Sequence, residues 1–175
     1  SVSALGEGSN AYNISGDVQG GFVNSGTLGS NGFRLTSRPG FQGTGTGRED
    51  LTAENLQDAG SSISISGNIT GGVHFDLVQE PVLDADGNET GELQTVRTSS
   101  VTQLGSAPAV LIDGNGTPIS IGRVSAVTNP ADENFDESLQ FAFVNEGSIT
   151  SQGLFDDFDA TVLSIQDAEL EGGLI

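Results

Sequence analysis

The sequence contains no cysteine, methionine, tryptophan or lysine, and it has one tyrosine and one histidine. Without cysteine the chain forms neither a disulfide nor a thiolate metal site, so its stability must come from packing and backbone hydrogen bonds. The single histidine, His74, has no cysteine with which to build a zinc site, and the Gly-x-Ser-x-Gly motif is absent. The basic residues are five arginines, at positions 34, 38, 48, 97 and 123. These absences argue against zinc-thiolate and serine-hydrolase chemistry.

Long apolar runs and positive charge are also scarce. No stretch approaches the ~20 apolar residues that a membrane helix needs, so we expect no direct membrane insertion. The 24 acidic residues leave a formal net charge of −19. This charge repels the phosphate backbone and excludes nucleic acid as a natural partner, whereas it suits the binding of hard cations such as Ca²⁺.

What the sequence does contain is repetition. Residues 22–32 and 143–153 read FVNSGTLGSNG and FVNEGSITSQG, with Phe, Val, Asn, Gly, Ser and Gly in register. A second phrase follows the pattern apolar-x-x-x-apolar-x-Gly-Gly, as in ISGDVQGG. Copies that keep it more or less strictly begin at Ile14, Ile65, Ile119 and Ile165. The spacing of these starts predicts a structural repeat of about fifty residues.

Apolar and polar residues alternate over short stretches, as in Ile63 and Ile65 or Ile119 and Ile121. Such alternation, interrupted by Gly, Asn and Asp, predicts short β-strands, which could build a β-sandwich, a β-propeller or a β-solenoid. The repeat favours the solenoid, because stacked coils give equivalent positions the same neighbours. We therefore predict an all-β fold, a parallel β-helix (β-solenoid) that occupies residues 1–175 as a single segment.

Equivalent positions of the repeat should share one environment. We expect one set of apolar side chains to face inward or be buried: Val18, Ile69, Leu170, Val23, Val144, Leu28 and Ile149. Turns use left-handed backbone conformations and local side-chain hydrogen bonds, which favour glycine and asparagine. The recurring residues expected at corners are Asn24, Gly26, Asn145 and Gly147.

Three insertions interrupt the repeats. Residues 34–52 are rich in Gly, Thr and Arg and are predicted to form a loop. Residues 74–100 have two alternating arms around DADGNETG, which predicts a projecting hairpin with His74 half-exposed on its first arm. Residues 128–140 form a third, acidic excursion. Since exposed loops carry most contacts, we expect the insertions to form the contact surface.

Several segments also resemble a known class of protein. GDVQGGFVNSGTL, GNITGGVHFD, GSAPAVLI and FAFVNEGSITSQG are similar to the passenger regions of autotransporter (type V secreted) proteins of alphaproteobacteria. The resemblance covers most of the chain outside the insertions. It implies a right-handed parallel β-helix that is exported to the bacterial cell surface.

The tip of the predicted hairpin offers a candidate calcium site. Its oxygen-bearing residues at alternating positions are Asp84, Asp86, Asn88 and Glu92. Such a series can converge on Ca²⁺, although Glu89 and Thr95 stand where an EF-hand loop has Gly and Glu. The alternative is a polar hairpin tip that serves solubility. No other cofactor is expected.

A second acidic cluster is formed by Asp156, Asp157 and Asp159. A glycosidase needs two carboxylates in opposed environments, and neighbouring residues on a turn rarely provide them. We expect this cluster to be polar decoration of a corner, and we predict no catalytic residue.

The expected function is that of a non-enzymatic structural segment, a stalk or adhesin passenger outside the cell. The alternatives are a self-assembling extracellular fibre subunit and a secreted carbohydrate-active β-helix enzyme. Residues 159–175 are rich in core-type side chains and do not resemble a cap. We therefore expect this end to contact further coils of a longer chain or neighbouring copies, while a surface glycan or host protein is the expected ligand.

Overall fold

The structure is a computed structural model in which residues 1–32, 58–153 and 159–175 are described. The described residues contain fifteen β-strands and one short 3-10 helix, Glu137–Leu139. The strands are β1 (Val2–Leu5), β2 (Tyr12–Ile14), β3 (Phe22–Asn24), β4 (Thr27–Asn31), β5 (Ile63–Ile65), β6 (Val73–Phe75), β7 (Leu77–Leu83), β8 (Glu89–Thr98), β9 (Ser100–Leu104), β10 (Val110–Asp113), β11 (Ile119–Ile121), β12 (Phe143–Asn145), β13 (Ser148–Gln152), β14 (Leu163–Gln166) and β15 (Ala168–Leu170). The prediction of an all-β fold with short strands is confirmed. Among the described residues, no helix has the length and apolar character needed to span a bilayer.

Four sheets contain parallel strand pairs throughout. Sheet 1 has the order β2-β5-β10-β14, sheet 3 has β3-β6-β12, and sheet 4 has β1-β4-β9-β13. Sheet 2 consists of β11 and β15. Single bridges add Ile69 beside Ile121 of β11, and Val18 beside Ile69. Successive stretches of the chain visit the sheets in the same order: the first three run through sheets 1 to 4, and the last runs through sheets 1 and 2 to a single bridge in sheet 3. We call these stretches passes: residues 12–31, 63–104, 110–152 and 163–174.

The register places equivalent side chains beside one another. In sheet 1, Ile14 pairs with Ile65, Ile65 with Ile112, and Ile112 with Ile165. In sheet 2, Val18, Ile69, Ile121 and Leu170 form a second column. The third copy of the repeat therefore aligns at Ile112, and the predicted start at Ile119 is wrong. The reason is a turn at residues 114–118, which lengthens the third pass between sheets 1 and 2.

The core lies between the sheets and follows the alternation of the strands. Ile63, Ile65, Ile69, Val73 and Phe75 of the second pass are all fully buried, because passes cover them on both sides. Three aromatic rings add a stack at sheet 3, in which Phe75 lies 6.4 Å from Phe22 and 5.3 Å from Phe143 between ring centroids. Tilted and edge-on aromatic contacts at these distances contribute beyond their buried area.

The predicted inward positions are mostly correct. Ile69 and Leu28 are buried, and Val18, Leu170 and Ile149 pack partly buried against the same core. Val144 is buried, but it pairs with His74 on the outer face of sheet 3 and lies outside the main apolar cluster, so the prediction that it points inward is wrong.

Val23 contradicts the prediction, because 59% of it is exposed. Side chains on a strand alternate between the two faces of the sheet. Phe22 packs against the core and Asn24 is buried, so the residue between them points outward.

Asparagine side chains form the corners between sheets 3 and 4. The Asn24 side chain accepts a hydrogen bond from the Gly26 amide at 3.2 Å and donates one to the Gly26 carbonyl at 3.1 Å. In the third pass, the Asn145 side chain accepts from the Gly147 amide at 3.3 Å. The predicted corners are therefore confirmed. Neither glycine has a positive φ, so the side-chain hydrogen bonds rather than a left-handed backbone define these turns.

A different glycine corner lies between sheets 2 and 3. Gly72 has a φ of +73°, a conformation that side-chain-bearing residues rarely adopt. A Cβ atom on the preceding Gly71 would lie 2.6 Å from the Gly21 amide nitrogen of the first pass. The repeated Gly-Gly pair therefore allows the backbones of neighbouring passes to approach closely.

Two of the three predicted insertions lie within the described residues. Strands β7 and β8 pair antiparallel within residues 74–100, and we call residues 77–98 the hairpin. His74 lies outside it, on β6 of sheet 3, so its prediction for the first hairpin arm is wrong. The sequence does not reveal where the hairpin begins, because the alternation of apolar and polar residues in β6 continues into β7. Residues 128–140 include the 3-10 helix, and residues 34–52 lie outside the described residues.

Candidate metal centre

The predicted calcium residues lie at and beside the tip of the hairpin. Oδ1 of Asp84 accepts hydrogen bonds from the amides of Asp86 and Asn88, both at 2.9 Å. The Asn88 side-chain amide lies 3.3 Å from Oδ2 of Asp84. Hydrogen bonds from Asn88 lower the pKa of Asp84 below its ordinary value. The Asp84 carboxylate therefore stabilises the turn itself.

Glu92 lies apart from that turn, on strand β8, where its amide donates to Oγ1 of Thr90 at 3.3 Å. The structure brings Asp84 and Asn88 together, whereas Asp86 contacts Asp84 through its backbone. All four residues are exposed. Calcium binding at the tip stays a prediction. Of the second acidic cluster, Asp156 and Asp157 lie outside the described residues, and Asp159 is exposed.

A different group of side chains meets at the base of the hairpin. One imidazole nitrogen of His74 and one carboxylate oxygen each of Asp76 and Glu146 all lie within 4.8 Å of one another. Among the described residues, these three form the one group of His, Asp and Glu side chains with such spacing. We call this group the base cluster.

The parallel register of sheet 3 explains the convergence. His74 pairs with Val144 and Phe75 with Asn145, so Asp76 and Glu146 follow the paired strands at neighbouring positions. The Glu146 amide donates to the Phe75 carbonyl at 2.8 Å and holds the two backbones together at this point. His74 lies two residues before Asp76, and residues with this spacing on a strand share a face. The outer face of one ladder thus carries all three side chains.

Backbone hydrogen bonds fix the chain around the base cluster. The Asp76 amide donates to the Asn24 carbonyl at 2.8 Å, which connects it to the first pass. The Asp76 carbonyl accepts from the Ser99 amide at 3.0 Å, where the chain returns from the hairpin. The Ser148 amide in turn donates to the Ser99 carbonyl at 2.9 Å. The three side chains of the base cluster therefore project from a backbone that is held on several sides.

The closest contact within the cluster joins His74 and Glu146. Nε2 of His74 lies 2.7 Å from Oε2 of Glu146, a hydrogen bond that is also an ion pair when the imidazole is protonated. The His74 side chain is 13% exposed and that of Glu146 is 43% exposed. The imidazole of His74 is thus largely shielded from solvent, whereas the carboxylate of Glu146 is accessible to it.

Sequence reasoning missed this site for two reasons. It considered only cysteine and histidine as partners of His74, although carboxylates also bind zinc-class ions. It also could not bring Asp76 and Glu146 together, because they are 70 positions apart and meet only through the strand register. One signal was present in the repeated phrase: FVNSG has Ser25 where FVNEG has Glu146.

An open groove lies on another side of the molecule, at the corner between sheets 2 and 3. It has a volume of about 360 Å³ and is lined by Gln19, Thr70, Arg123 and Glu171, among others. Nε of Arg123 lies 3.2 Å from Oε1 of Glu171, so the two charged side chains in the groove neutralise each other.

The chain was compared with protein-family models, with curated proteins and with solved structures. None of them matches it.

Proposed function

We propose that this chain is a non-enzymatic structural segment, a right-handed parallel β-helix that serves as the stalk or adhesin part of a surface-exposed bacterial passenger. The observation that carries the proposal is the repeated parallel register. Ile14, Ile65, Ile112 and Ile165 pair in series, and each begins a new pass that visits the same sheets in the same order, the last of them as far as sheet 3. Solenoid proteins bury a continuous core by stacking such units.

The handedness follows from general chain geometry. Connections between parallel strands of one sheet are right-handed in about 98% of cases, because the twist of the strand favours that return path. Every neighbouring pair in sheets 1, 3 and 4 is parallel, so each pass is one such connection. The sequence resemblance to autotransporter passengers implies the same fold and an extracellular location.

The groove at the corner of sheets 2 and 3 supports a non-enzymatic role. Glycoside hydrolysis uses two carboxylates about 5–9.5 Å apart. Among the described residues that line this groove, Glu171 is the one carboxylate, and Arg123 neutralises it. The geometry there favours a scaffold over a carbohydrate-active enzyme.

The exposed hairpin supports a role as an adhesin. All ten residues of β8 are exposed, and the hairpin projects from the stacked passes instead of contributing to the core. Leu83 and Leu93 are large apolar residues on this projection that face solvent. Exposed apolar side chains on a loop held by a rigid scaffold suit the binding of a host protein or a surface glycan.

Surface labelling tests the proposal. Antibodies against the 175-residue chain should label intact bacteria that produce the whole protein, and external protease should remove the signal. Labelling that requires cell lysis would contradict the surface location. Release of reducing sugars from polysaccharide substrates by the purified chain would contradict the non-enzymatic role.

A fibre subunit is the second candidate, favoured by apolar side chains exposed near both ends of the stack of passes. Tyr12 in the first pass and Val162 and Leu174 near the last strands are large apolar residues of this kind. Electron microscopy distinguishes the candidates, since a fibre subunit should form filaments of constant width and a stalk segment should not.

A further inference from the structure

We propose that His74, Asp76 and Glu146 bind a divalent transition-metal ion of the zinc class at the base of the hairpin. Metal binding by the base cluster would not depend on where the protein is located. Because the three residues come from two passes, the ion would connect strand β6 to the segment that follows β12.

The spacing of the donor atoms suits a small ion. Zinc lies about 2.0–2.2 Å from imidazole nitrogen and carboxylate oxygen in tetrahedral sites, which separates neighbouring ligand atoms by roughly 3.3–3.6 Å. In the base cluster all three donor atoms already lie within 4.8 Å of one another. Since carboxylate side chains can rotate, small adjustments of Asp76 and Glu146 are enough to close the site.

Charge provides a second argument. Asp76 and Glu146 directly follow two adjacent parallel strands at neighbouring positions, where like charges repel each other. Among the described residues, arginine forms one ion pair, between Arg123 and Glu171, and none with Asp76 or Glu146. The whole chain carries a net charge of −19. A divalent cation would offset the two carboxylates.

The contact between His74 and Glu146 indicates how the ion would enter. At 2.7 Å, Nε2 and Oε2 form a hydrogen bond, so one proton lies between the two atoms. A metal ion takes the place of that proton, which is released to solvent, so binding exchanges a proton for a cation at the same two atoms. Solvent access at Glu146 leaves a path for the ion and a fourth position for water.

The donor set decides the class of ion. Imidazole nitrogen suits zinc, copper, iron and nickel, whereas Ca²⁺ and Mg²⁺ prefer sites made of oxygen alone. With one imidazole and two carboxylates, the base cluster should select Zn²⁺ or Co²⁺ over Ca²⁺. This selectivity separates the base cluster from the predicted calcium site at the hairpin tip.

Titration of the 175-residue chain, prepared without a histidine tag, with Zn²⁺ in a calorimeter tests the proposal. We expect one Zn²⁺ per chain to bind well above the background, with millimolar Ca²⁺ failing to displace it. Co²⁺ should produce the absorption of a tetrahedral site. His74→Gln should weaken binding at least about tenfold, because loss of a residue that only supports a ligand already costs about that much and His74 is itself a ligand.

The chain supplies its own matched variant. Glu146→Ser recreates the residue that the first copy of the phrase has at position 25, and it should abolish the Co²⁺ absorption while circular dichroism stays unchanged. Asp84→Ala at the hairpin tip is the control and should leave Zn²⁺ binding intact. Binding that survives both His74→Gln and Glu146→Ser, or a titration with no saturable site, would overturn the proposal.

Discussion

At the scale of single residues, the column Val18, Ile69, Ile121 and Leu170 shows how the repeat creates stability. Ile69 is fully buried, because it is bridged to Val18 on one side and to Ile121 on the other. Shortening it removes contacts with both neighbouring passes and leaves a cavity that rigid backbones cannot collapse. Ile69→Ala should lower the free energy of unfolding by about 2–5 kcal/mol, as measured by urea denaturation.

Val23→Ala is the matched control, since that side chain is exposed on the outer face of sheet 3. Its effect should stay within about 0.5 kcal/mol, as for other surface substitutions. Equal losses from Ile69→Ala and Val23→Ala would mean that the two positions do not differ in burial.

A polar ladder links the first three passes on the outside. Oδ1 of Asp17 accepts from the Asn68 amide at 3.0 Å and from its side chain at 2.8 Å, and Oδ1 of Asn68 accepts from the Ser120 amide at 2.8 Å. These hydrogen bonds from Asn68 lower the pKa of Asp17 below its ordinary value of 3.8. The link is therefore fully formed above that value and is lost as the pH falls through the lowered pKa.

The Asp17 link predicts a pH-dependent difference between variants. Asp17→Ala should melt below the wild type at neutral pH, and the gap should close in strong acid, where the wild-type carboxylate is protonated. Thermal melts across the acid range measure the gap. Asn68→Ala should raise the Asp17 pKa towards its ordinary value in an NMR titration. An unchanged Asp17 pKa in that variant would contradict the proposed cause.

At the scale of elements, the hairpin combines a firm base with an exposed, acidic tip. The tip turn is held by Asp84, and its carboxylate is ionised at neutral pH because the lowered pKa lies well below that range. If Asp84 and Asp86 bind Ca²⁺, millimolar Ca²⁺ should raise the melting temperature, and the double variant Asp84→Ala, Asp86→Ala should remove the rise. Absence of any Ca²⁺ effect on the wild type would leave a polar tip that serves solubility.

The elements also show what the sequence could and could not predict. Alternation of apolar residues predicted the short strands, because the strand period appears directly in the order of residues. The assignment of Val23 failed, because a strand as short as Phe22–Asn24 has too few residues to fix which face is inner. The base cluster was beyond prediction, since Asp76 and Glu146 become neighbours only through the pairing of β6 and β12.

At the scale of the whole molecule, the same parallel pairing that builds the core leaves sheet edges at both ends of the stack. Among the described strands, β14 is last in sheet 1 and β15 is last in sheet 2. In sheet 3, Leu174 occupies the corresponding end position and forms a single bridge with Phe143 of β12. Unpaired backbone groups on an edge strand can pair with another chain. The net charge of −19 opposes such contact between copies, and salt weakens that repulsion.

We therefore predict concentration-dependent association of the 175-residue chain that salt strengthens. Leu174 and Ile175 are 53% and 57% exposed beside the edge strands, so their burial against another copy would favour the contact. Leu174→Lys with Ile175→Lys should reduce association, because a charged side chain at a sheet edge opposes pairing. The matched control is Leu83→Lys with Leu93→Lys, which changes equally exposed leucines on the hairpin, away from the stack of passes. Light scattering at several concentrations measures the effect. A monodisperse monomer at high concentration and high salt, or equal effects of the two double variants, would show that these edges do not join copies of the chain.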